Sequence, residues 1–355
     1  MGAGNVVQSA VDVKDKPIVQ IGFVVRDAVK TAKRYAEIFG ISPWNFVEGK
    51  VRDCILRGET LKNIDCGLRI ALADLGKLQL ELIQPLHGPS THMSFLKEQG
   101  EGIHHVSFGA VEGHDKIISG LTAEGIGIEM QGLARDVDTF TYLATQKKLG
   151  TIFEIVNPAI SRGRGPLRPW GTYDKPDKAA INIKGKEIKQ LGIVVENAEE
   201  TARNYWELLG VGPWILLDFK PPHLTDVTLH EVPIHDYVNL HTRAALAHMG
   251  DLQIELLEPV KGPSTYMEFL KTRGQGIHHL SFDRIEDHDE MISGFKMIGI
   301  ETESTGLIGG SIAFTYLSSQ KDLGTIFEAL KVDPDKKNTL TEFRMYPPED
   351  KNSKA

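Results

Sequence analysis

The sequence predicts an α+β protein built from two similar domains, each made of two βαβββ modules. Two observations support this fold class. The stretch Gly-Gln-Gly-Ile-His-His-Leu-Ser-Phe ending at Phe282 repeats Gly-Glu-Gly-Ile-His-His-Val-Ser-Phe ending at Phe108, 174 positions earlier, and both follow a shared lead-in. Within each copy, the order strand, helix, several strands occurs twice. A repeat of this length predicts two whole domains rather than a short recurring motif.

The first copy opens with a strand and a helix. Residues 18–25 are a β-branched run of strand type. Asp27 suits the N-terminal cap of the next helix, in which Val29 and Ala32 recur at helical spacing. Gly40 suits the C-terminal end of that helix.

The second copy follows the same order. Residues 188–195 repeat the first strand, Asn197 repeats the cap, and Gly210 repeats the helix end. Four extra residues enter around residues 221–223, so equivalent positions lie 170 apart before this insertion and 174 apart after it. Each copy continues with a Glu-Leu strand (78–85 or 252–259), a lead-in helix, the His-His strand, a second helix (about 115–124 or 289–297) and two closing strands.

The repeat divides the chain into five parts. We expect the two domains to pack as a pseudo-dimer inside one chain, and further association into a homo-oligomer stays open. The expected boundaries are a loose leader at 1–17, a first domain at 18–158, a linker at 159–187, a second domain at 188–332 and a C-terminal tail at 333–355.

Composition excludes several classes of partner. The formal charge of -8, from 40 basic and 48 acidic residues, argues against binding of nucleic acid or anionic lipid. Two cysteines cannot form a disulfide framework, and neither a signal peptide nor a long apolar run is present. We therefore expect a cytoplasmic protein that acts on a small molecule, with no membrane partner.

Five motifs carry a resemblance to a known family. They are the first strand with Gly two residues after Gln (Gln20-Ile-Gly, Gln190-Leu-Gly), Glu-Leu-(Ile/Leu)-X-Pro, Phe-Leu-Lys, Gly-Ile-His-His and the closing Phe-Glu strand. Together they resemble the vicinal oxygen chelate superfamily, which contains glyoxalases, bleomycin resistance proteins and dioxygenases, and within it most closely methylmalonyl-CoA epimerase. The resemblance implies tandem vicinal oxygen chelate domains, each with a curled sheet around a metal site.

The resemblance also implies a ligand set in each copy. Carboxylates and imidazole suit a divalent ion, and a neutral amide oxygen fills a position without adding charge. The ion is one of Zn, Co, Ni, Mn or Mg. His104 and His278 have the opposite strand parity from the ligand histidines, so we expect them to face away from the metal. The implied ligands are Gln20, Glu81, His105 and Glu154 in the first copy, and Gln190, Glu255, His279 and Glu328 in the second.

The activity implied is that of an epimerase or racemase. Such an isomerase moves a proton at the carbon alpha to a carbonyl through a metal-stabilised enolate, here on an acyl-CoA or an α-substituted ketone. Epimerases of this branch carry a further Glu on the strand before the Glu-Leu strand, and Glu231 falls there. The catalytic candidates are therefore Glu81, Glu154, Glu255, Glu328 and Glu231.

Two alternatives to the epimerase activity follow from comparing this sequence with other members of the superfamily. The epimerase pattern has His where Gln20 and Gln190 stand, and the set Gln, Glu, His, Glu resembles that of the glyoxalase I of animals. A glyoxalase I-type lyase acting on a hemithioacetal is thus one alternative. A non-catalytic binding protein for a small molecule is the other. One His per site argues against a dioxygenase, which uses two His and one carboxylate.

Overall fold

The structure, a computed structural model, describes residues 9–134, 137–157, 169–174, 178–183, 186–235, 239–282, 285 and 287–348. Parts of the expected leader, linker and tail lie outside these residues. The described chain forms two mixed sheets of eleven strands each.

The first sheet and its helices come from the first half of the chain. Its elements are β1 Gln20–Val24, α1 Ala28–Phe39, β2 Trp44–Val51, β3 Asp53–Leu56, β4 Glu59–Leu61, β5 Cys66–Leu75, β6 Leu78–His87, α2 Thr91–Glu98, β7 Gly102–Ala110, α3 His114–Ala123, β8 Ile128–Ala134, β9 Val137–Leu143, α4 Gln146–Leu149, β10 Ile152–Val156 and β11 Gly171–Tyr173.

The second sheet repeats this order in the second half. Its elements are β12 Ile188–Val194, α5 Ala198–Leu209, β13 Trp214–Phe219, β14 Leu224–Leu229, β15 Val232–Pro233, β16 His241–Met249, β17 Leu252–Lys261, α6 Thr265–Arg273, β18 Gly276–Phe282, α7 His288–Met297, β19 Thr302–Ile308, β20 Ile312–Leu317, α8 Gln320–Leu323, β21 Ile326–Val332 and β22 Arg344–Tyr346.

Connectivity forces each sheet to curl. The strand order of the first sheet is β11-β2-β5-β6-β1-β7-β10-β9-β8-β3-β4, so β2 and β3 lie toward opposite edges. Only Arg52 separates these two strands in the chain. The sheet must therefore bend until its two edges approach, which produces a cup. In the second sheet, β13 and β14 repeat this arrangement with a four-residue connection, and this connection contains the predicted insertion.

The two modules of each domain meet at the centre of the sheet. In the first sheet, β2, β5, β6 and β1 form one half, and β7, β10, β9 and β8 form the other. The antiparallel pairing of β1 with β7 joins the halves. The predicted pair of βαβββ modules is thus confirmed. The predicted cap of α1 is also confirmed, because Asp27 accepts hydrogen bonds from the backbone N–H groups of Val29 and Lys30.

Segments expected to be a leader and a linker cross between the domains. The N–H of Ala10 donates to the carbonyl of Glu207 at 2.8 Å, at the end of α5 in the second domain. In the same way, Ala180 donates to Glu37 at the end of α1 in the first domain, at 2.9 Å. The last carbonyls of a helix lack intrahelical partners, so these arms satisfy them. The described part of the leader is therefore ordered rather than loose.

The linker and the tail each add an edge strand. β11 pairs with β2, aligning Tyr173 with Trp44, and β22 pairs with β13, aligning Tyr346 with Trp214. Each strand covers backbone groups that an edge would otherwise expose. The sheets thus extend beyond the ends that the repeat predicts.

The domain interface is symmetric in its hydrogen bonds. The hydroxyl of Tyr35 donates to the carbonyl of Leu323 at 2.8 Å, and that of Tyr205 donates to the carbonyl of Leu149 at 3.0 Å. Both tyrosines are fully buried. This arrangement agrees with an internal pseudo-dimer. In the described residues, none of the helices has the length and apolar character needed to cross a membrane.

We predict that Tyr35→Phe and Tyr205→Phe each lower the free energy of unfolding by about 1–2 kcal/mol. Each change leaves a buried carbonyl across the interface without its donor. Urea denaturation measures the effect. Tyr173→Phe, on an edge strand, is the matched control and should unfold like the parent. If these interface hydrogen bonds contributed little to stability, all three variants would have the same free energy of unfolding as the parent.

Candidate metal centre

The four side chains expected to bind metal in the first domain lie on four adjacent strands. Glu81, Gln20, His105 and Glu154 come from β6, β1, β7 and β10, which are neighbours in that order. Gly22 on β1 pairs with Glu81 on one side and with His105 on the other. The site therefore forms within one domain rather than across the two.

The second domain repeats this placement. Glu255, Gln190, His279 and Glu328 lie on the adjacent strands β17, β12, β18 and β21. Gly192 pairs with Glu255 and with His279. Both copies therefore bring the same four residue types to the centre of a curled sheet.

A buried imidazole lies between two carboxylates in each cluster. His105 Nε2 is 3.5 Å from Glu81 Oε2 and 3.8 Å from Glu154 Oε2. The side chains of His105 and of His279, its counterpart in the second domain, are completely buried. His279 Nε2 is 3.5 Å from Glu255 Oε2 and 3.6 Å from Glu328 Oε2. These separations exceed those of good hydrogen bonds, so the three groups surround a point without closing on one another.

The glutamines present an oxygen rather than a nitrogen. Gln20 Nε2 donates to Gln79 Oε1 at 2.8 Å, and Gln190 Nε2 donates to Gln253 Oε1 at 2.8 Å. Because the amide nitrogen is engaged by a neighbour, Oε1 is the atom left to act as a ligand.

A glycine opposite each ligand histidine makes room for the imidazole. A Cβ atom at Gly22 would overlap the ring of His105, and one at Gly192 would overlap the ring of His279. The Gln-X-Gly pattern therefore has a steric cause, because the ring lies over the backbone of the neighbouring strand.

His104 and His278 lie outside the cluster, as expected, but strand parity does not describe their positions, because they contact the Nδ1 side of the ligand histidines while the carboxylates lie at Nε2. The register shifts so that Gly22 pairs with His105 while Phe23 pairs with Ile103, which leaves His104 as the extra residue of a β-bulge. A bulge cancels the alternation of side chains along the strand. His104 Nδ1 consequently lies 3.1 Å from His105 Nδ1, and the second domain has the same 3.1 Å contact between His278 and His279.

A second histidine cluster occurs only in the first domain, among the described residues. Possible ligand atoms of His92, His104 and His105 lie within 4.8 Å of one another. However, both ring nitrogens of His104 already contact partners, His105 at 3.1 Å and Thr91 at 3.2 Å. The second domain has Tyr266 at the position of His92. The cluster shared by both domains is therefore the imidazole with two carboxylates.

The donor atoms of the shared cluster fit a divalent ion. Buried atoms without a hydrogen-bond partner include His105 Nε2 in the first domain, and His279 Nε2, Gln190 Oε1 and Glu328 Oε2 in the second. A buried polar atom without a partner is destabilising, and such atoms are few in native proteins. Imidazole nitrogen and carboxylate or amide oxygen are the donors that first-row divalent ions accept. An ion bound in each domain would satisfy the unpartnered atoms of that domain together.

Burial controls protonation in the metal-free site. Burial raises the pKa of Glu255 to about 7. Burial is also the largest cause of the raised pKa of Glu154 and of Glu328, which the neighbouring imidazole opposes. Burial lowers the pKa of His279. The site therefore favours neutral groups, and ionised carboxylates require a compensating cation.

Each domain contains a cavity that is not lined by any of the proposed ligands. A cavity of about 360 Å³ in the first domain is lined by residues that include Asn45, Asp74 and Gln79. A cavity of about 30 Å³ in the second is lined by mainly apolar side chains and by Tyr266 and Tyr316. The two cavities differ in volume and in the polarity of their lining.

The structure does not bring Glu231 to the cluster. Glu231 lies in the exposed turn between β14 and β15, with a positive φ of 63°. Its carboxylate is 3.3 Å from Lys296 Nζ and accepts a hydrogen bond from Thr302 at 3.3 Å. A surface ion pair explains this residue without a catalytic role.

Two curled sheets, each centred on a buried imidazole and two carboxylates, define a protein with paired candidate metal sites. The Glyoxalase/Bleomycin resistance protein/Dioxygenase superfamily matches residues 19–140 and 189–314. The chain belongs to this superfamily, the vicinal oxygen chelate superfamily. No curated protein sequence matches the chain.

Two solved structures are among those similar to the chain. A triple mutant of 4-hydroxymandelate synthase from Streptomyces coelicolor is 12% identical, with a TM-score of 0.54, over 92% of this chain and 95% of that protein. The Mn(II)-bound glyoxalase from Novosphingobium aromaticivorans is 13% identical, with a TM-score of 0.45, over 90% of this chain and 85% of that protein. At 12% identity, the 4-hydroxymandelate synthase structure supports the fold alone and no particular reaction.

We predict that Gly192→Ala removes metal binding from the second domain and leaves the first intact. The added Cβ would displace the His279 ring. Elemental analysis after saturation with Co²⁺ should therefore fall from two ions per chain to one. Gly49→Ala, on β2 with open space around the new Cβ, is the matched control and should keep two. Two ions in Gly192→Ala would contradict this account.

We predict that the metal-free protein loses stability as pH rises from 4.5 to 7. Glu255 has a pKa of about 7 in the folded chain against an ordinary 4.5, so between these values the folded state holds a proton that the unfolded state has released. The neutral carboxyl stabilises the fold fully below pH 4.5, and its contribution of roughly 3 kcal/mol is lost as pH rises through 7.

Denaturant unfolding of the parent and of Glu255→Gln across this range measures the effect. The glutamine variant should lack the part of the pH dependence that comes from Glu255. If the difference in stability between the two proteins stayed constant with pH, the carboxyl would not titrate as described.

Proposed function

We propose that the chain is a metal-dependent isomerase, an epimerase or racemase, that moves a proton at the carbon alpha to a carbonyl. The observation that carries this proposal is the pair of glutamates on either side of one buried imidazole, repeated in both domains. The substrate class is an acyl-CoA or an α-substituted ketone. The proposed enzyme resembles methylmalonyl-CoA epimerase and works in the cytoplasm, with domains at 18–158 and 188–332.

The proposed metal ligands are the glutamine, the histidine and the two glutamates of each copy. When bound, a divalent ion polarises the carbonyl oxygen of a substrate and offsets the charge of an enolate. The ion is Zn, Co, Ni, Mn or Mg. The ligands proposed are Gln20, Glu81, His105 and Glu154, and Gln190, Glu255, His279 and Glu328.

The two glutamates of a copy take opposite roles in proton transfer. Glu255 and Glu328 come from β17 and β21, on opposite sides of His279, so they can reach different faces of a small molecule. Burial raises the pKa of both, to about 7 for Glu255, which makes each a better base than an ordinary carboxylate and lets Glu255 hold a proton near neutral pH. One glutamate removes the proton and the other returns it. Glu81 and Glu154 do the same in the first domain.

Burial also supplies the setting for this step. Glu328 is 3% exposed and His279 is fully buried, so little water competes for the proton. In a site of low polarity, fixed dipoles and cations stabilise a charge that develops on a substrate oxygen more strongly than they would in water. The ring of Tyr316 lies 4.9 Å from that of His279 and limits the space beside the cluster.

A glyoxalase I-type lyase is the second candidate. The amide oxygen of Gln190 is buried without a partner, which supports Gln as a ligand in place of His. The same glutamates would then move a proton on a hemithioacetal. A non-catalytic small-molecule binding protein is the third candidate, and the cavity of the first domain supports it.

We predict that the combined variant Glu154→Gln with Glu328→Gln loses solvent exchange of the substrate's acidic proton by a factor of at least about 100. Proton NMR in D₂O follows the exchange on 2-substituted acyl thioesters and α-substituted ketones. Glu231→Gln is the matched control and should retain full exchange. Unimpaired exchange in the combined variant would contradict the proposal.

These substrates, together with a hemithioacetal, separate the three candidates. An epimerase yields both configurations from one pure enantiomer, whereas a glyoxalase converts only a hemithioacetal to a thioester. A binding protein exchanges no proton with any of them. Chiral chromatography of the products, with and without a chelator, reads out all three outcomes.

A further inference from the structure

A continuous chain of hydrogen bonds leads from each proposed ligand histidine to a glutamate outside the cluster. In the second domain, His279 Nδ1 contacts His278 Nδ1 at 3.1 Å, and His278 Nε2 contacts Thr265 Oγ1 at 3.1 Å. Thr265 then donates its hydroxyl proton to Glu303 Oε1 at 2.6 Å. All members except Glu303 are buried.

The carboxylate at the end of this chain sets the direction of every hydrogen bond in it. Thr265 donates its one hydroxyl proton to Glu303 Oε1, so its oxygen must accept from His278 Nε2–H. A neutral imidazole with its proton on Nε2 has a lone pair on Nδ1. His278 Nδ1 therefore accepts from His279 Nδ1–H, and the lone pair of His279 is left on Nε2.

The first domain contains the same chain of hydrogen bonds. His105 Nδ1 contacts His104 Nδ1 at 3.1 Å, His104 Nε2 contacts Thr91 Oγ1 at 3.2 Å, and Thr91 donates to Glu129 at 3.2 Å. The surroundings differ between domains, because Glu129 forms an ion pair with Arg57 at 2.9 Å, whereas Glu303 forms no ion pair with any residue that the structure describes. The chain is thus common to both domains although its neighbours are not.

Helix capping does not account for the threonines. The caps of α2 and α6 are Ser90 and Ser264, whose side chains accept from the backbone N–H groups of Met93 and Met267. Thr91 and Thr265 are the first helical residues, and their hydroxyls instead join a histidine to a glutamate.

The geometry points to Thr91 with Glu129, and Thr265 with Glu303, as positioning residues that hold the ligand histidines in the Nδ1–H tautomer. This inference rests on the proposed metal site, toward which the Nε2 lone pair is directed. The separations of 3.5 to 3.8 Å between Nε2 and the carboxylates agree, because an Nε2–H would be expected to form a shorter hydrogen bond. A fixed tautomer leaves the donor atom ready for an ion.

The first experiment reads the tautomers in the metal-free parent protein. Long-range ¹H–¹⁵N NMR of the ¹⁵N-histidine-labelled chain distinguishes a protonated Nδ1 from a protonated Nε2. We expect His105 and His279 to carry the proton on Nδ1, and His104 and His278 to carry it on Nε2. A proton on Nε2 of His105 or His279 would overturn the inference, and no variant needs to fold for this result.

The second experiment removes the threonine hydroxyls from the hydrogen-bond chain and, in a control, retains a hydroxyl as serine. Thr91→Val with Thr265→Val removes both hydroxyls, whereas Thr91→Ser with Thr265→Ser retains them. We expect the valine pair to mix the tautomers of His105 and His279 and to weaken Co²⁺ binding about 10- to 100-fold, with the serine pair close to the parent. Thermal unfolding confirms that both variants are folded.

The two proposals fail in different ways. A parent chain that binds no Co²⁺ but shows the expected tautomers would refute the metal site and leave the hydrogen-bond chain standing. A parent that binds Co²⁺, with valine variants equal to it in tautomer and affinity, would refute the positioning role alone.

Discussion

Each sheet of this protein encloses two carboxylates and an imidazole at its centre, and the rest of the fold must accommodate that buried charge. In the part of the chain that the structure describes, the ion pairs of these glutamates are with the histidine alone and not with Lys or Arg. Enclosing ionised groups without a compensating charge is strongly unfavourable. The raised pKa values of Glu154, Glu255 and Glu328 have the same cause, because burial disfavours their ionised forms. A divalent ion would compensate the charge of the ionised carboxylates.

The surrounding structure gives the cluster a fixed geometry. The curl of the sheet, caused by the short β2–β3 connection, turns four adjacent strands toward a common centre. A glycine on the central strand admits the imidazole, and the bulge places a second imidazole beside it. Crossing arms and buried tyrosine hydroxyls then join the two domains. Rigid strands are suited to holding ligands at set distances.

Much of the site could be predicted because the motifs that carry the family resemblance, and their spacing in the two copies, are visible in the sequence itself. Glu81, His105 and Glu154 each recur 174 positions later, and the structure brings each set together. The orientation of His104 could not be predicted, because a bulge depends on the register between two strands and leaves the hydrophobic pattern unchanged. The docking of the arm at Ala10 depends on a helix nearly two hundred residues away. Thr91 and Glu129 also recur at 174, a signal that could have identified the hydrogen-bond chain.

The most direct test of the central claim is anomalous diffraction from crystals of the chain grown with Mn²⁺. The account predicts two peaks per chain, one bounded by Glu81, His105 and Glu154, and one bounded by Glu255, His279 and Glu328. A single peak among His92, His104 and His105, or no ordered ion at either set of glutamates, would contradict it.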